Sequence, residues 1–96
     1  MERDDACDLI ERPRAVRVLL TLLESPDDAP VSEILETVGG SKSTGINRLD
    51  EFREAGLVTK QAGDNRTIYS LTHDGEEIAH YLADVIDIIQ EGRNND

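Results

Sequence analysis

Residues 38–45, VGGSKSTG, set a glycine pair, a lysine and three hydroxyl side chains side by side. Backbone N–H groups, a cation and hydroxyl donors all bind oxyanions, so the mixture suits a phosphate. A nucleotide-binding P-loop, however, needs its lysine directly after the last glycine, with a strand before the loop and a helix after it. Lys42 instead stands three positions before Gly45, and a helical pattern leads into the glycines. Spacing and context both exclude a nucleotide loop. Cys7, His73 and His80 are the other residues with latent chemistry. A zinc site needs three or four converging ligands, and two separated histidines with Asp74 and Asp84 nearby do not supply them. The acidic segment around Cys7 opposes thiolate formation, and a single cysteine excludes an intramolecular disulfide framework. No nucleophile stands beside a base in a catalytic pattern. The chain is expected to be no enzyme and to hold no metal or cofactor.

Whatever positions these residues must fit in 96 residues, 38% of them apolar and with Phe52, Tyr69 and Tyr81 as the aromatics. A core of Val, Ile and Leu at this length is marginal, so folding is expected to lean on a partner subunit. No apolar run reaches membrane-spanning length, and MERDDACDLI is too acidic for a signal peptide. A cytoplasmic protein with no membrane contact is expected. Acids outnumber bases by 21 to 10, for a formal net charge of −11, and Lys42 and Lys60 are the lysines. An acid-rich, lysine-poor surface is the habit of haloarchaeal proteins, because hydrated carboxylates keep a surface soluble in concentrated salt. The charge is unevenly placed: residues 1–40 and 73–96 each carry a net of −6, while residues 41–72 carry +1. One third of the chain has escaped acidification, and it begins at the hydroxyl cluster.

The elements follow from periodicity and turn chemistry. In RPRAVRVLLTLLES, Pro13 suits a first helical turn and Val16, Leu19, Leu20 and Leu23 recur at helical spacing. SPDDAP breaks that helix. VSEILETVG forms a second, with Ile34, Leu35 and Val38 inward, Ser32 as its expected cap and Gly39 at its end. After the Gly39-Gly40 turn, Ser41 is a natural N-cap for KSTGINRLDEFREAG, whose inward stripe is Ile46, Leu49 and Phe52. Two β-type runs, 57–62 and 67–72, flank the hairpin chemistry of Gly63-Asp64-Asn65-Arg66. Thr72 caps a last helix with Ile78, Leu82, Val85 and Ile89 in one stripe. The order helix, helix, helix, strand, strand, helix is an α+β, mostly α, winged helix-turn-helix. The expected division is an N-terminal extension (1–12), a winged helix-turn-helix domain (13–72), a C-terminal helix (73–92) and a tail (93–96).

At this point the chain resembles a family. SKSTGINRLDEFREAGLV (41–58) resembles the S-x-S-T-x-x-x-x-L signature, followed by G-L-[IV], of MarR-, ArsR- and PadR-like regulators. GDNRTIYSLTHDGEEI (63–78) is similar to their wing, where D-x-R precedes Y-x-L-T-x-x-G. The resemblance implies a DNA-binding transcriptional regulator, more often a repressor, whose second helix-turn-helix helix enters the major groove of double-stranded DNA. Carried onto this chain, the contacting positions are Lys42, Ser43, Thr44, Asn47 and Arg48. Ser43 and Thr44 suit phosphate oxygens, Asn47 adenine and Arg48 guanine, unless Arg48 pairs with Glu51 or Glu54 along its own helix. In the wing Arg66 would reach a minor groove or phosphate with Asp64 holding its guanidinium, and Lys60 would add a backbone contact. Gly45 and Ile46 depart from the family pattern. Either Ile46 turns inward through a small rotation of the helix, or it stays exposed to touch a thymine methyl.

The resemblance also implies a two-fold homodimer through the last helix, with Ile78, Tyr81, Leu82, Val85, Ile86 and Ile89 at the interface and Leu9 and Ile10 as candidates to join it. Two such heads would read a pseudo-palindromic operator. Asp50, Glu51 and Glu54 beside the reading helix are expected to trap K+ or other cations against phosphate, so that affinity survives high salt. The competing expectation is a winged helix that docks a basic protein partner through its acidic flanks and binds no DNA.

Overall fold

The computed structural model describes residues 1–92, so the expected tail at 93–96 lies outside the described residues. Seven elements run in order: α1 (Arg3–Glu11), α2 (Ala15–Glu24), α3 (Val31–Val38), α4 (Lys42–Glu54), β1 (Val58–Ala62), β2 (Thr67–Leu71) and α5 (His73–Gln90). From α2 onward this is the expected order, with a two-stranded antiparallel sheet in the register Val58↔Leu71, Lys60↔Tyr69 and Ala62↔Thr67.

The N-terminal region differs from expectation. Residues Arg3–Glu11 form a helix with Asp4 and Asp5 in its first turn, where they favour the positive end of the helix dipole. Leu9 and Ile10 are half-buried against the chain's own core. Pro13 falls in the turn between helices, and α2 begins only at Ala15, behind Arg14 in a left-handed conformation.

The centre of the fold is α2, which packs on α3, α4, β2 and α5 as well as α1. Its buried side is Ala15, Val18, Leu19 and Leu22, while Val16, Leu20 and Leu23 are half-buried. The expected stripe was therefore displaced by about one position. A helix apolar on most of its circumference gives periodicity nothing to choose between. Leu49, Phe52 and Ala79 are fully buried as well, with Ile34, Val38 and Val58 nearly so.

Helix α3 starts at Val31 behind Pro30, with no side-chain cap, so Ser32 lies inside the first turn rather than capping it. Gly39 and Gly40 make the following turn with φ of +80° and +73°, values costly for any residue with a Cβ. Ser41 and Thr72 cap α4 and α5 as expected, accepting hydrogen bonds from the Thr44 and Gly75 backbone N–H groups, each at 3.1 Å.

Candidate nucleic-acid interface

Helix α4 turns Gly45, Leu49 and Phe52 into the core and exposes Ser43 and Asn47 on the opposite side, with Lys42 exposed in its first turn. The two departures from the family pattern find their cause here. Leu35 of α3 occupies the space that a Cβ on Gly45 would need. Ile46 is half-buried and packed against the core, so it takes the inward place. On the buried face of α4 the Leu35 side chain fills the place of a side chain at Gly45, and the neighbouring isoleucine supplies the apolar contact.

Thr44 is half-buried, and its hydroxyl lies 2.8 Å from that of Ser41. It belongs to the cap more than to an open surface. Ser43, at 3.4 Å from the Ser41 hydroxyl, is exposed. A phosphate arriving at the start of α4 would meet Lys42, Ser43 and the first backbone N–H groups together.

Arg48 stands apart from the set expected to face DNA. Its guanidinium is bidentate on Glu51, with Nε to Oε1 at 2.8 Å and Nη2 to Oε2 at 3.0 Å. Its Nη1 donates to the Pro13 carbonyl at 3.2 Å, and the side chain is 11% exposed. Arg12 donates to the same Glu51 carboxylate at 2.8 Å. The result is a clamp that fixes the α1–α2 turn to the middle of α4. Arg48 is thus engaged in holding α4 in place rather than presented to a guanine; its pairing with Glu51 is the within-helix alternative weighed from the sequence. Next to it, Arg14 donates to the Val38 carbonyl at 3.3 Å and lies along Gly40, a cation at the C-terminal end of α3. The segment Arg12-Pro13-Arg14 therefore holds both helices of the helix-turn-helix. Periodicity carries no signal for it.

The Arg48 hydrogen bond, aided by Arg12, holds the Glu51 carboxyl below the ordinary carboxylate range, against a smaller opposing effect of burial. A folded-state pKa below the unfolded one stabilises the fold above the carboxylate range, and that contribution is lost as pH falls through it. Glu51→Gln is expected to cost about 1 kcal/mol at neutral pH, because two charge-assisted contacts weaken at a partly solvated site. Its urea midpoint should converge on that of the unmodified chain as pH falls through the carboxylate range. An equal gap at neutral and acidic pH would exclude the clamp as the cause.

In the wing, Arg66 donates from Nη2 to the Asp28 carbonyl at 2.6 Å. The α2–α3 loop therefore holds its guanidinium rather than Asp64. Asp64 is exposed at the hairpin tip, and Gly63 N–H closes the hairpin on the Arg66 carbonyl at 2.8 Å. Lys60 is exposed, with Nζ 5.8 Å from the centroid of the Tyr69 ring. The Tyr69 hydroxyl donates to Asp50 at 3.4 Å, and burial, then the Asp50 charge, raise the Tyr69 pKa. The three acids expected to trap cations thus differ. Glu51 is paired with two arginines, Asp50 accepts from the Tyr69 hydroxyl, and Glu54 is exposed.

On α5, Ile78 and Leu82 are half-buried and pack on the chain's own core. The rest of the stripe remains open. Tyr81 is 64% and Ile89 68% exposed, with Val85, Ile86 and Ile88 also exposed. Every residue from Asp84 to Gln90 is exposed. Cys7, His73 and His80 are exposed, and among the described residues no three potential metal ligands come together. None of the described helices is long and apolar enough to cross a membrane.

A helix-turn-helix formed by α3 and α4, followed by a β-hairpin and a long C-terminal helix, defines a winged-helix protein. Solved structures share that architecture. A possible HxlR family transcriptional factor from Thermoplasma volcanium superposes with a TM-score of 0.85 at 18% identity, over 99% of this chain and 88% of its own. For a MarR family transcriptional regulator from Silicibacter pomeroyi the TM-score is 0.75 at 25% identity, over 92% of this chain and 63% of that one. AF1382 from Archaeoglobus fulgidus matches with a TM-score of 0.73 at 25% identity, over 88% of this chain and 96% of its own. No protein-family model and no curated protein sequence matches the chain.

Proposed function

We propose that the protein is a DNA-binding transcriptional regulator, a repressor acting as a homodimer on a pseudo-palindromic operator in a haloarchaeal cytoplasm. The observation that carries this reading is the exposed start of α4. Lys42, Ser43 and Asn47 are open there, at the head of residues 41–72, which carry a net charge of +1 in a chain of −11. The helix carrying them belongs to a winged helix-turn-helix, and the transcription regulators of similar fold support that use. Lys42 and Ser43 take phosphates, with Thr44 at the cap behind them, and Asn47 reads a base edge. Arg66 and Lys60 supply backbone contacts, with Arg66 leaving the Asp28 carbonyl when a phosphate is offered. Asp64 stays at the wing tip, and Arg48 acts by positioning α4. Tyr81, Val85, Ile86 and Ile89 join two copies.

Ordinary DNA binding weakens steeply with salt because it draws on counterion release. In molar salt the screening length is about 3 Å, so only groups in near contact with phosphate matter. Asp50 and Glu54 lie on the helix that would face DNA, and cations held between them and phosphate keep the affinity level or rising with KCl. Gel shifts with promoter DNA and random DNA across a KCl series test this. Lys42→Ala and Arg66→Ala should each weaken promoter binding by roughly tenfold. Unchanged binding in both variants, or no binding by the unmodified chain at any salt, would reject the DNA reading in favour of a protein-docking module.

A further inference from the structure

The loop between α2 and α3, Ser25-Pro26-Asp27-Asp28-Ala29-Pro30, is held at both ends. Ala29 is buried, and its N–H donates to the Pro26 carbonyl at 3.0 Å, closing a turn with Asp27 and Asp28 at its two corners. The Pro30 carbonyl accepts from the Glu33 N–H at 3.0 Å as α3 begins. Both aspartates are exposed. Onto this fixed turn the wing lays Arg66, whose Nη2 donates to the Asp28 carbonyl at 2.6 Å. The wing itself is exposed from Gln61 to Arg66, so the movable half of the contact is the arginine. A guanidinium grips phosphate best through two parallel N–H groups, and an Nη2 spent on Asp28 breaks that pair. The Asp28 carboxylate hangs from the residue that supplies the acceptor, with Asp27 beside it. Neither is in ion-pair contact with Arg66, because the ion pairs among the described residues are those of Glu51. They attract the guanidinium through space instead, a pull that salt screens.

We propose that Asp27 and Asp28 set the affinity of the chain for DNA by competing with phosphate for Arg66. The turn is a latch on the wing, tight in dilute salt and loose in concentrated salt. At about 0.1 M salt the screening length is about 10 Å, so both carboxylates act on the guanidinium; at about 1 M it is about 3 Å, and only a group in contact still attracts it. A phosphate on Arg66 is in contact; the two carboxylates are not. Raising the salt therefore weakens the latch more than it weakens the contact that replaces it, which adds an intramolecular cause for an affinity that stays level or rises with KCl. The effect on DNA rests on the DNA reading, whereas the closed latch does not.

Two measurements on the full chain keep the parts separate. Without DNA, nuclear magnetic resonance reads the latch: Arg66→Ala should shift the amides of Asp28 and Ala29, although 38 residues separate Asp28 from Arg66. Gel shifts with a duplex from the chain's own promoter read the competition. Asp27→Asn with Asp28→Asn keeps the carbonyl and suits a turn. The pair should tighten binding about fivefold at about 0.1 M KCl and less than about twofold at about 1 M. In the Arg66→Ala background the same pair should gain less than about twofold at either salt. Amides of Asp28 and Ala29 that Arg66→Ala leaves in place would overturn the latch itself. An equal gain with and without Arg66 would reduce the effect to a general loss of negative charge and overturn the competition. No gain, or the same gain at both salts, would overturn it too. A chain that binds no DNA at any salt would reject the DNA reading and the competition together, with the amide shifts still deciding the latch.

Discussion

Replacing Gly75 with alanine lowers the thermal midpoint by roughly 15 °C, the largest effect expected of any single methyl group in this chain. Gly75 is buried in the first turn of α5, and a Cβ there would overlap the backbone carbonyl of Leu57. That carbonyl cannot retreat freely. Its oxygen accepts from the Thr72 N–H at 3.0 Å, and the Leu57 N–H donates to the Phe52 carbonyl at 2.9 Å. Thr72 also donates to the Gly56 carbonyl at 2.8 Å while capping α5. The start of α5, the end of α4 and the start of β1 are locked at one point. Alanine gains about 1 kcal/mol of helix propensity over glycine, but overpacking against fixed backbone costs about 3 kcal/mol or more. Gly45→Ala provides the control. The atom in its way is the end of the half-buried Leu35 side chain, which can rotate, so the two terms nearly cancel and the midpoint stays within a few degrees. Melting curves followed by circular dichroism compare the two, and similar losses in both variants would contradict this account.

If two copies pair through α5 as proposed, Ile89→Asp is expected to separate them into monomers and to weaken binding to the proposed operator by roughly a hundredfold or more, since two linked reading heads become one. Ile89 is 68% exposed within one chain and touches little of its own domain. Its substitution should leave the secondary structure intact. An aspartate there would place a buried, unpaired charge in a helix-to-helix contact, and no Lys or Arg lies between His73 and Gln90 of α5 to pair with it. Sedimentation equilibrium reads the association, and a gel shift on the same samples reads the consequence for DNA. An unmodified chain that sediments as a monomer at every concentration would refute the dimer. A monomeric variant with undiminished operator affinity would show that two heads are not needed.

Most of the framework was legible because the deciding interactions are local. Ser41 and Thr72 cap the helices that follow them through contacts three residues away. The Gly39-Gly40 turn follows from what positive φ demands of a side chain. The hairpin follows from a turn cluster between two β-type runs. Helix α1 left a fainter signal: Ala6, Leu9 and Ile10 have helical spacing and acids begin the segment, but its charge obscures an apolar face of three residues.

What the sequence by itself determined was therefore the order of elements from α2 to α5, the identity of the helix exposing Lys42, Ser43 and Asn47, and the surplus of apolar surface on α5. Capping, turn geometry and helical period act over a few residues, so their causes lie next to one another in the chain. Tertiary structure alone decided which of those side chains are open. Arg48 is held by the Pro13 carbonyl, 35 residues away, besides its neighbour Glu51, Arg66 is drawn to the Asp28 carbonyl, 38 residues away, and Ile78 and Leu82 pack against the core of their own chain. It also decided Gly45, because the space a side chain would need is taken by Leu35 of the preceding helix. Contacts across such separations depend on how helices cross, and the spacing of residues along the chain does not encode that.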